Sequence, residues 1–249
     1  MNRLRIVVDD RTARYPLIID PFMQRARLIA SDAGAGHNFG SDVAIDGDVV
    51  VVGAQGINAV YVFERPQDGW RDTVQTARLT ATNSELQFGI SVAIDGDTIV
   101  AGDPSVDTAG LVSSGAVYVF VRPPGGWADA TQTARLVASS PALVDLLGAS
   151  VAIEGDDIVV GAPRRDVGGI SDRGAVYVFM KPAAGWQNAT ESAVLTASDA
   201  TSSDALGTSV AIDGGVVVSG ATSFEFDSST NGQVPSTCSS SLAEGGAAR

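Results

Sequence analysis

One sixteen-residue segment returns four times along this chain without a gap, and that repetition limits the possible folds more than any other feature. The copies are FGSDVAIDGDVVVVGA (Phe39 to Ala54), FGISVAIDGDTIVAGD (Phe88 to Asp103), LGASVAIEGDDIVVGA (Leu147 to Ala162) and LGTSVAIDGGVVVSGA (Leu206 to Ala221). A second block, AVYVF, begins at Ala59, Ala116 and Ala175 and runs each time into Pro-x-x-Gly-Trp, ending on Trp70, Trp127 and Trp186. A third, of the type ARLTA, begins at Ala26, Ala77, Ala134 and Ala193. Trp127 and Trp186 are 59 residues apart, as are Leu147 and Leu206. A period of that size signals a propeller, a solenoid or an array of small units.

The blocks read as strands because they are short, rich in Val and Ile, and bounded by Gly, Asp and Pro. SVAID and VVVVG are joined at Asp-Gly, a hairpin signal in which both residues tolerate positive φ. AVYVF is the third strand, and the Pro-x-x-Gly-Trp turn leads into the fourth. The predicted unit is an antiparallel four-stranded meander. Its sheet has two apolar faces, and a ring of like sheets packed face to face covers both. Helical repeats are excluded, because no unit carries apolar residues at helical spacing. A period near 59 residues is also far too long for one coil of a β-helix.

Phe39-Gly40 with Gly53-Ala54, Phe88-Gly89 with Gly102, and Leu147-Gly148 with Gly161-Ala162-Pro163 resemble the FG-GAP repeat. That family forms the seven-bladed propeller of the integrin α-chain head and recurs in bacterial surface and secreted proteins. The resemblance covers roughly residues 26–222. It implies an all-β, propeller-like array of about four four-stranded antiparallel blades, at approximately 39–81, 88–138, 147–197 and 206–222. Residues 26–30 precede any blade, and the fourth unit has no clear AVYVF or Trp. Segment 26–30 is thus available to supply the outer strand of the fourth unit and close a ring, while the preferred rival is a partial propeller from a longer array. Integrin-type blades often carry a calcium loop of the form DxDxDGxxD. Here Asp-Gly-Asp fills that place with too few oxygens for a hard cation, so no calcium site is carried over and no cofactor is expected.

Residues 1–25 read as a β-hairpin at the end of an upstream domain, and 223–249 as a polar, disordered tail. The net charge is −13, from 29 acidic and 16 basic residues, which disfavours a nucleic-acid partner. No apolar run is long enough to span a membrane, and no signal peptide is seen in the chain. The single cysteine, Cys238, cannot form an internal disulfide.

Chemistry is sparse. His37 is the only histidine, leaving no partner for a Ser-His-Asp, Cys-His or zinc arrangement. Most acid pairs are hairpin residues with a local role. The connections Asp103 to Gly115 and Ala162 to Gly174 are eight residues longer than their counterpart in the first unit, and loop variation on a fixed scaffold is where binding tends to reside. Asp103, Asp107, Asp166 and Asp172 are the weak metal candidates there, and Arg164, Arg165 and Arg173 the ligand-loop candidates. The ordinary reading of all seven is solvated loop charge. Trp70, Trp127 and Trp186 are expected to pack between blades rather than stack on sugars, and Asn188-Ala189-Thr190 matches a glycosylation acceptor.

The reading is thus a non-catalytic interaction or adhesion module, extracellular or at a cell surface, that binds a protein or glycan through its loops. Its rivals are a carbohydrate-binding or carbohydrate-cleaving propeller and a structural spacer in a larger surface protein. Missing blades or an upstream domain in a longer protein belong to the same reading.

Overall fold

The computed structural model describes residues 24–198 and 200–222, and the backbone of Ser239–Glu244. The expected hairpin at 1–25 lies almost wholly outside the described residues, as does most of segment 223–249.

The strands follow the repeat. A lone strand β1 (Leu28–Ile29) comes first. Blade 1 holds β2 (Phe39–Asp46), β3 (Val49–Ala54), β4 (Ala59–Glu64), β5 (Thr73–Val74) and β6 (Ala77–Thr80). Blade 2 holds β7 (Val92–Asp95), β8 (Thr98–Asp103), β9 (Ala116–Val121), β10 (Ala130–Thr131) and β11 (Ala134–Val137). Blade 3 holds β12 (Ser150–Glu154), β13 (Asp157–Ala162), β14 (Ala175–Met180), β15 (Ala189–Thr190) and β16 (Ala193–Leu195). Blade 4 holds β17 (Ser209–Asp213), β18 (Val216–Ala221) and β19 (Ser239–Glu244). No α-helix occurs among the described residues.

Each full blade is an antiparallel meander, ordered β2-β3-β4-β6, β7-β8-β9-β11 and β12-β13-β14-β16. The two-residue strands β5, β10 and β15 do not join their own blade. They pair in parallel with the outer strand of the blade before: β5 with β1, β10 with β6, and β15 with β11. Each pairing is stitched at both ends. The backbone N–H groups of Arg27, Arg78 and Arg135 donate to the side-chain oxygens of Asp72, Asp129 and Asn188 at 2.8, 2.7 and 2.8 Å. Four residues on, the N–H groups of Ser31, Thr82 and Ser139 donate to Gln75, Gln132 and Glu191 at 2.9, 2.9 and 2.7 Å.

Two further series lock the inner edges. Ser41, Ser91 and Ser150 donate their hydroxyls to the carbonyls of Gly89, Gly148 and Gly207 in the following blade, at 2.8, 2.9 and 2.8 Å. At Gly53, Gly102 and Gly161 a Cβ would overlap those same carbonyl oxygens, so only glycine lets the blades approach this closely.

The hairpin turn differs from its expected form. Asp46 pairs with Val49 and Asp95 with Thr98, so the two loop residues are Gly-Asp rather than Asp-Gly. Gly47 and Gly96 take the positive φ, at 52° and 53°. The displaced acid becomes the last strand residue and caps the next blade's turn. Asp46 accepts from Gly96 N–H at 2.8 Å, Asp95 from Gly155 N–H, and Glu154 from Gly214 and Gly215 N–H at 2.8 and 3.1 Å. These backbone bonds hold the Glu154 carboxyl below its usual range.

The core lies between blades. Val51, Val60, Val62 and Leu79 of blade 1 pack against Phe88, Ile99, Tyr118 and Trp127 of blade 2. Val100, Val119 and Leu136 of blade 2 meet Leu147, Ile158, Phe179 and Trp186 of blade 3 in the same way. Trp127 and Trp186 are thus interblade packing residues, and Trp70 packs, partly buried, in the cluster of blade 1 with Leu28 and Ala30.

Two expectations are corrected here. Segment 26–30 does not pair with blade 4 among the described residues: the fourth sheet contains only β17, β18 and β19, while β1 is held by β5 as β6 is by β10. Inner strands β2, β7, β12 and β17 pack in sequence, with no comparable packing of β17 on β2, so the described array is an open arc. Ser239–Glu244, expected within a disordered tail, pairs along the whole of β18 and takes the place of AVYVF. Its backbone fills the vacant edge of β18, whose unpaired N–H and C=O groups favour any extended segment within reach.

Candidate functional site in the long blade connections

The connections after β8 and β13 share one geometry. Thr108 bridges Leu111 in the first and Val167 bridges Ile170 in the second. Asp107 accepts the backbone N–H of Ser113, and Asp166 that of Asp172, each at 2.9 Å. Ser113 and Asp172 both take left-handed φ, at 50° and 51°. These carboxylates close their own loops.

Asp103 is fully buried. Its carboxylate accepts Glu85 N–H at 2.7 Å, Ser105 N–H at 3.2 Å and Ser105 Oγ–H at 2.8 Å. The four aspartates are therefore distributed over two loops. Among the described residues, no group of three or more His, Cys, Asp or Glu could hold a metal ion.

The three arginines separate. Arg164 is exposed. Arg173 donates to the carbonyls of Ala197 and Ser198 at 3.1 and 3.5 Å and ties its loop to the segment leading into blade 4. Arg165 turns inward to Asp145, with Nη1 2.8 Å from Oδ2. Asp145 also accepts Ala142 N–H at 2.7 Å. Burial pushes the Asp145 carboxyl up, while the Ala142 N–H and Arg165 pull the other way.

The repeat explains why Arg165 lies there. In each of blades 1, 2 and 3 one tyrosine of the third strand faces one residue of the outer strand: Tyr61 faces Arg78, Tyr118 faces Arg135, and Tyr177 faces Val194. Tyr61 donates to Asp32 at 2.5 Å, and Arg78 Nε pairs with Asp32 at 3.3 Å. Arg135 lies 6.0 Å from the Tyr118 ring centroid and donates to Thr108 Oγ1 at 2.8 Å. Blade 3 reverses the arrangement. Val194 replaces the outer-strand arginine, and Arg165 in the loop stands where blade 2 has Val106. The charge is restored from the opposite side, but the volume is not.

A cleft of about 360 Å³ opens there, lined by Ser139, Arg165, Asp166, Tyr177, Glu191 and Val194 among others. Glu191 is fixed by Ser139, which donates its N–H at 2.7 Å and its hydroxyl at 2.6 Å. A guanidinium, two carboxylates and a serine hydroxyl thus border one concave surface. That set can recognise a polar ligand, since it offers both donors and acceptors. Two of the sequence candidates are placed here with defined partners: Arg165 on Asp145, and Asp166 on Asp172 N–H. Asp145, Glu191 and Ser139 were missed, and only the loss of Arg at position 194 signalled the cleft.

Asn188, the glycosylation match, is occupied by the stitch to Arg135, and Ala189–Thr190 is β15 itself.

Stacked four-stranded meanders, joined blade to blade through their inner and outer strands, define a β-propeller-type repeat protein. The FG-GAP repeat family matches four times, at residues 22–63, 73–120, 130–179 and 189–234. The chain belongs to that family. No curated protein matches the sequence. Among solved structures, hydrazine synthase of Kuenenia stuttgartiensis is similar at 11% identity and a TM-score of 0.47, over 79% of this chain and 46% of that one. The chain thus spans less than half the length of that protein.

Proposed function

We propose that this chain is a non-catalytic binding module, extracellular or at a cell surface, that holds a protein or glycan ligand in the blade 3 cleft and the loops beside it. The observation that carries this reading is a cleft of about 360 Å³ at Val194, where the other two full blades carry Arg, bordered by the long connection after β13. The rim chemistry suits binding rather than turnover. Of the two acids lining the cleft, Asp166 is committed to Asp172 N–H and Glu191 to Ser139. A paired-carboxylate hydrolase needs two free acids flanking one bond. The extracellular or surface setting follows the usual occurrence of the family.

The test uses a refilled cleft. The purified chain and its Val194→Arg variant are applied to a glycan array and to immobilised cell-surface extract. The reading expects ligands retained by the natural chain and lost, by tenfold or more, from a variant that melts at the same temperature. Equal retention by both would place the ligand elsewhere.

A further inference from the structure

The two ends of the arc are unlike, and each supplies what the other lacks. At the leading end, β1 has the position and the stitches of an outer strand without inner strands beside it among the described residues. At the trailing end, β17, β18 and β19 have the positions of three inner strands, without an outer strand among the described residues. Together they make one complete blade.

Burial says the same of the sheet faces. Phe39 is 36% exposed, whereas its repeat equivalents Phe88, Leu147 and Leu206 are 0%, 1% and 1% exposed. Val43 and Ile45, on the same face of blade 1, are 63% and 67% exposed. At the other end Val218 is 36% exposed, whereas Val51, Val100 and Val159 are all at 0%. The one face is what a preceding blade covers in blades 2, 3 and 4. The other is what a following blade covers in blades 1, 2 and 3.

The polar series end in register with those faces. Ser209 and Asp213 are the fourth members of the Ser and Asp/Glu series and have no following blade to meet among the described residues. Gly40 and Gly47 are the matching first-blade positions, and a Cβ at Gly40 would stand in open space, whereas at Gly89, Gly148 and Gly207 it would meet the preceding blade.

We propose that two copies of this chain associate head to tail, the three inner strands of blade 4 in each copy joining β1 of the other to complete two shared blades. Each copy then contributes three whole blades, the three inner strands of one shared blade and the outer strand of the other. The closed assembly has eight, within the range of about four to eight over which propellers close. A third copy would exceed it. The contact buries Val218 of one copy against the Phe39, Val43 and Ile45 face of the other. It also brings Asp213 to the Gly47 turn, as Asp46 meets Gly96 within the chain. The inference is independent of the ligand reading, because the blade 3 cleft belongs to neither end.

The test is the solution mass by light scattering, for the natural chain and for Ile45→Asp and Val218→Asp, with circular dichroism confirming that both variants fold. The natural chain is expected at twice its chain mass. Each variant alone is expected as a monomer, since every contact it can form contains one altered face. An equimolar mixture of the two is expected to regain a dimer, because one unaltered leading face then meets one unaltered trailing face. A natural chain that is monomeric, its ends covered by other segments of the same protein, would overturn the proposal. So would a dimer that survives either single substitution, which would mean another surface joins the copies.

Discussion

A methyl group added at Gly102 would overlap the carbonyl oxygen of Gly148 and crowd Ser91 Oγ, with no flexible atom able to yield. Gly102→Ala is therefore expected to destabilise the protein by about 3 kcal/mol, the upper range for overpacking, as read from urea unfolding. The same substitution at Gly69, which nothing approaches, tests conformation alone, since its φ of 97° is the only constraint there. Arg165→Ala would leave the buried Asp145 carboxylate without its cation. A loss of about 2 kcal/mol at neutral pH is expected, below the usual cost of breaking a buried pair because Arg165 is partly exposed. The sign with pH follows from Asp145, whose pKa is raised in the folded state. Its ionised form is disfavoured by folding, so the deficit is present above that raised value and shrinks as acid protonates the carboxyl. A deficit constant from pH 7 to pH 3 would contradict this account of the pair. Glu154 has the opposite sign. Its pKa is lowered, so its stabilisation is complete above its ordinary value of 4.5 and disappears as pH falls through the folded value. Glu154→Ala should thus lower the melting temperature at pH 7 and make no difference in strong acid.

At the scale of the strand, the stitches carry a separable share of the blade contacts. Asp129→Ala removes the acceptor for Arg78 N–H between blades 1 and 2 and is expected to cost about 1 kcal/mol, the usual net value of a hydrogen bond. Hydrogen exchange should then accelerate at Arg78 and Thr82 and not at Arg135, which is held by Asn188 in the next stitch. The long strands were legible in the sequence because Val and Ile runs bounded by Gly and Asp have few other outcomes. The short strands β5, β10 and β15 were not. Two residues of Ala-Thr or Thr-Val carry no period, and their partner lies in another repeat. Strand β19 was hidden for a similar reason, since Ser-Ser-Ser-Leu-Ala-Glu pairs through its backbone and lacks the Val-rich signature. Asp46 and Asp95 were recognised as hairpin residues but placed one position too far into the turn. Their role in capping the next blade depends on a contact about 50 residues away, which no local pattern records.

At the scale of the molecule, the repeat fixed the architecture, while the candidate site came from a departure from the repeat. Val194 is unremarkable as a residue. It acquires meaning only against Arg78 and Arg135 at the same cross-strand position, and against Arg165 arriving from the loop. Asp103 shows the converse, because an acid in a polar loop reads as solvated charge, whereas it is buried and held by three hydrogen bonds. The blades form one continuous body, joined from each to the next by strand pairing, stitches and interblade packing. Thermal unfolding by circular dichroism, in calcium and again in excess chelator, tests it most directly. The account predicts one cooperative transition at the same midpoint in both. Two transitions, or a midpoint that rises with calcium, would contradict it.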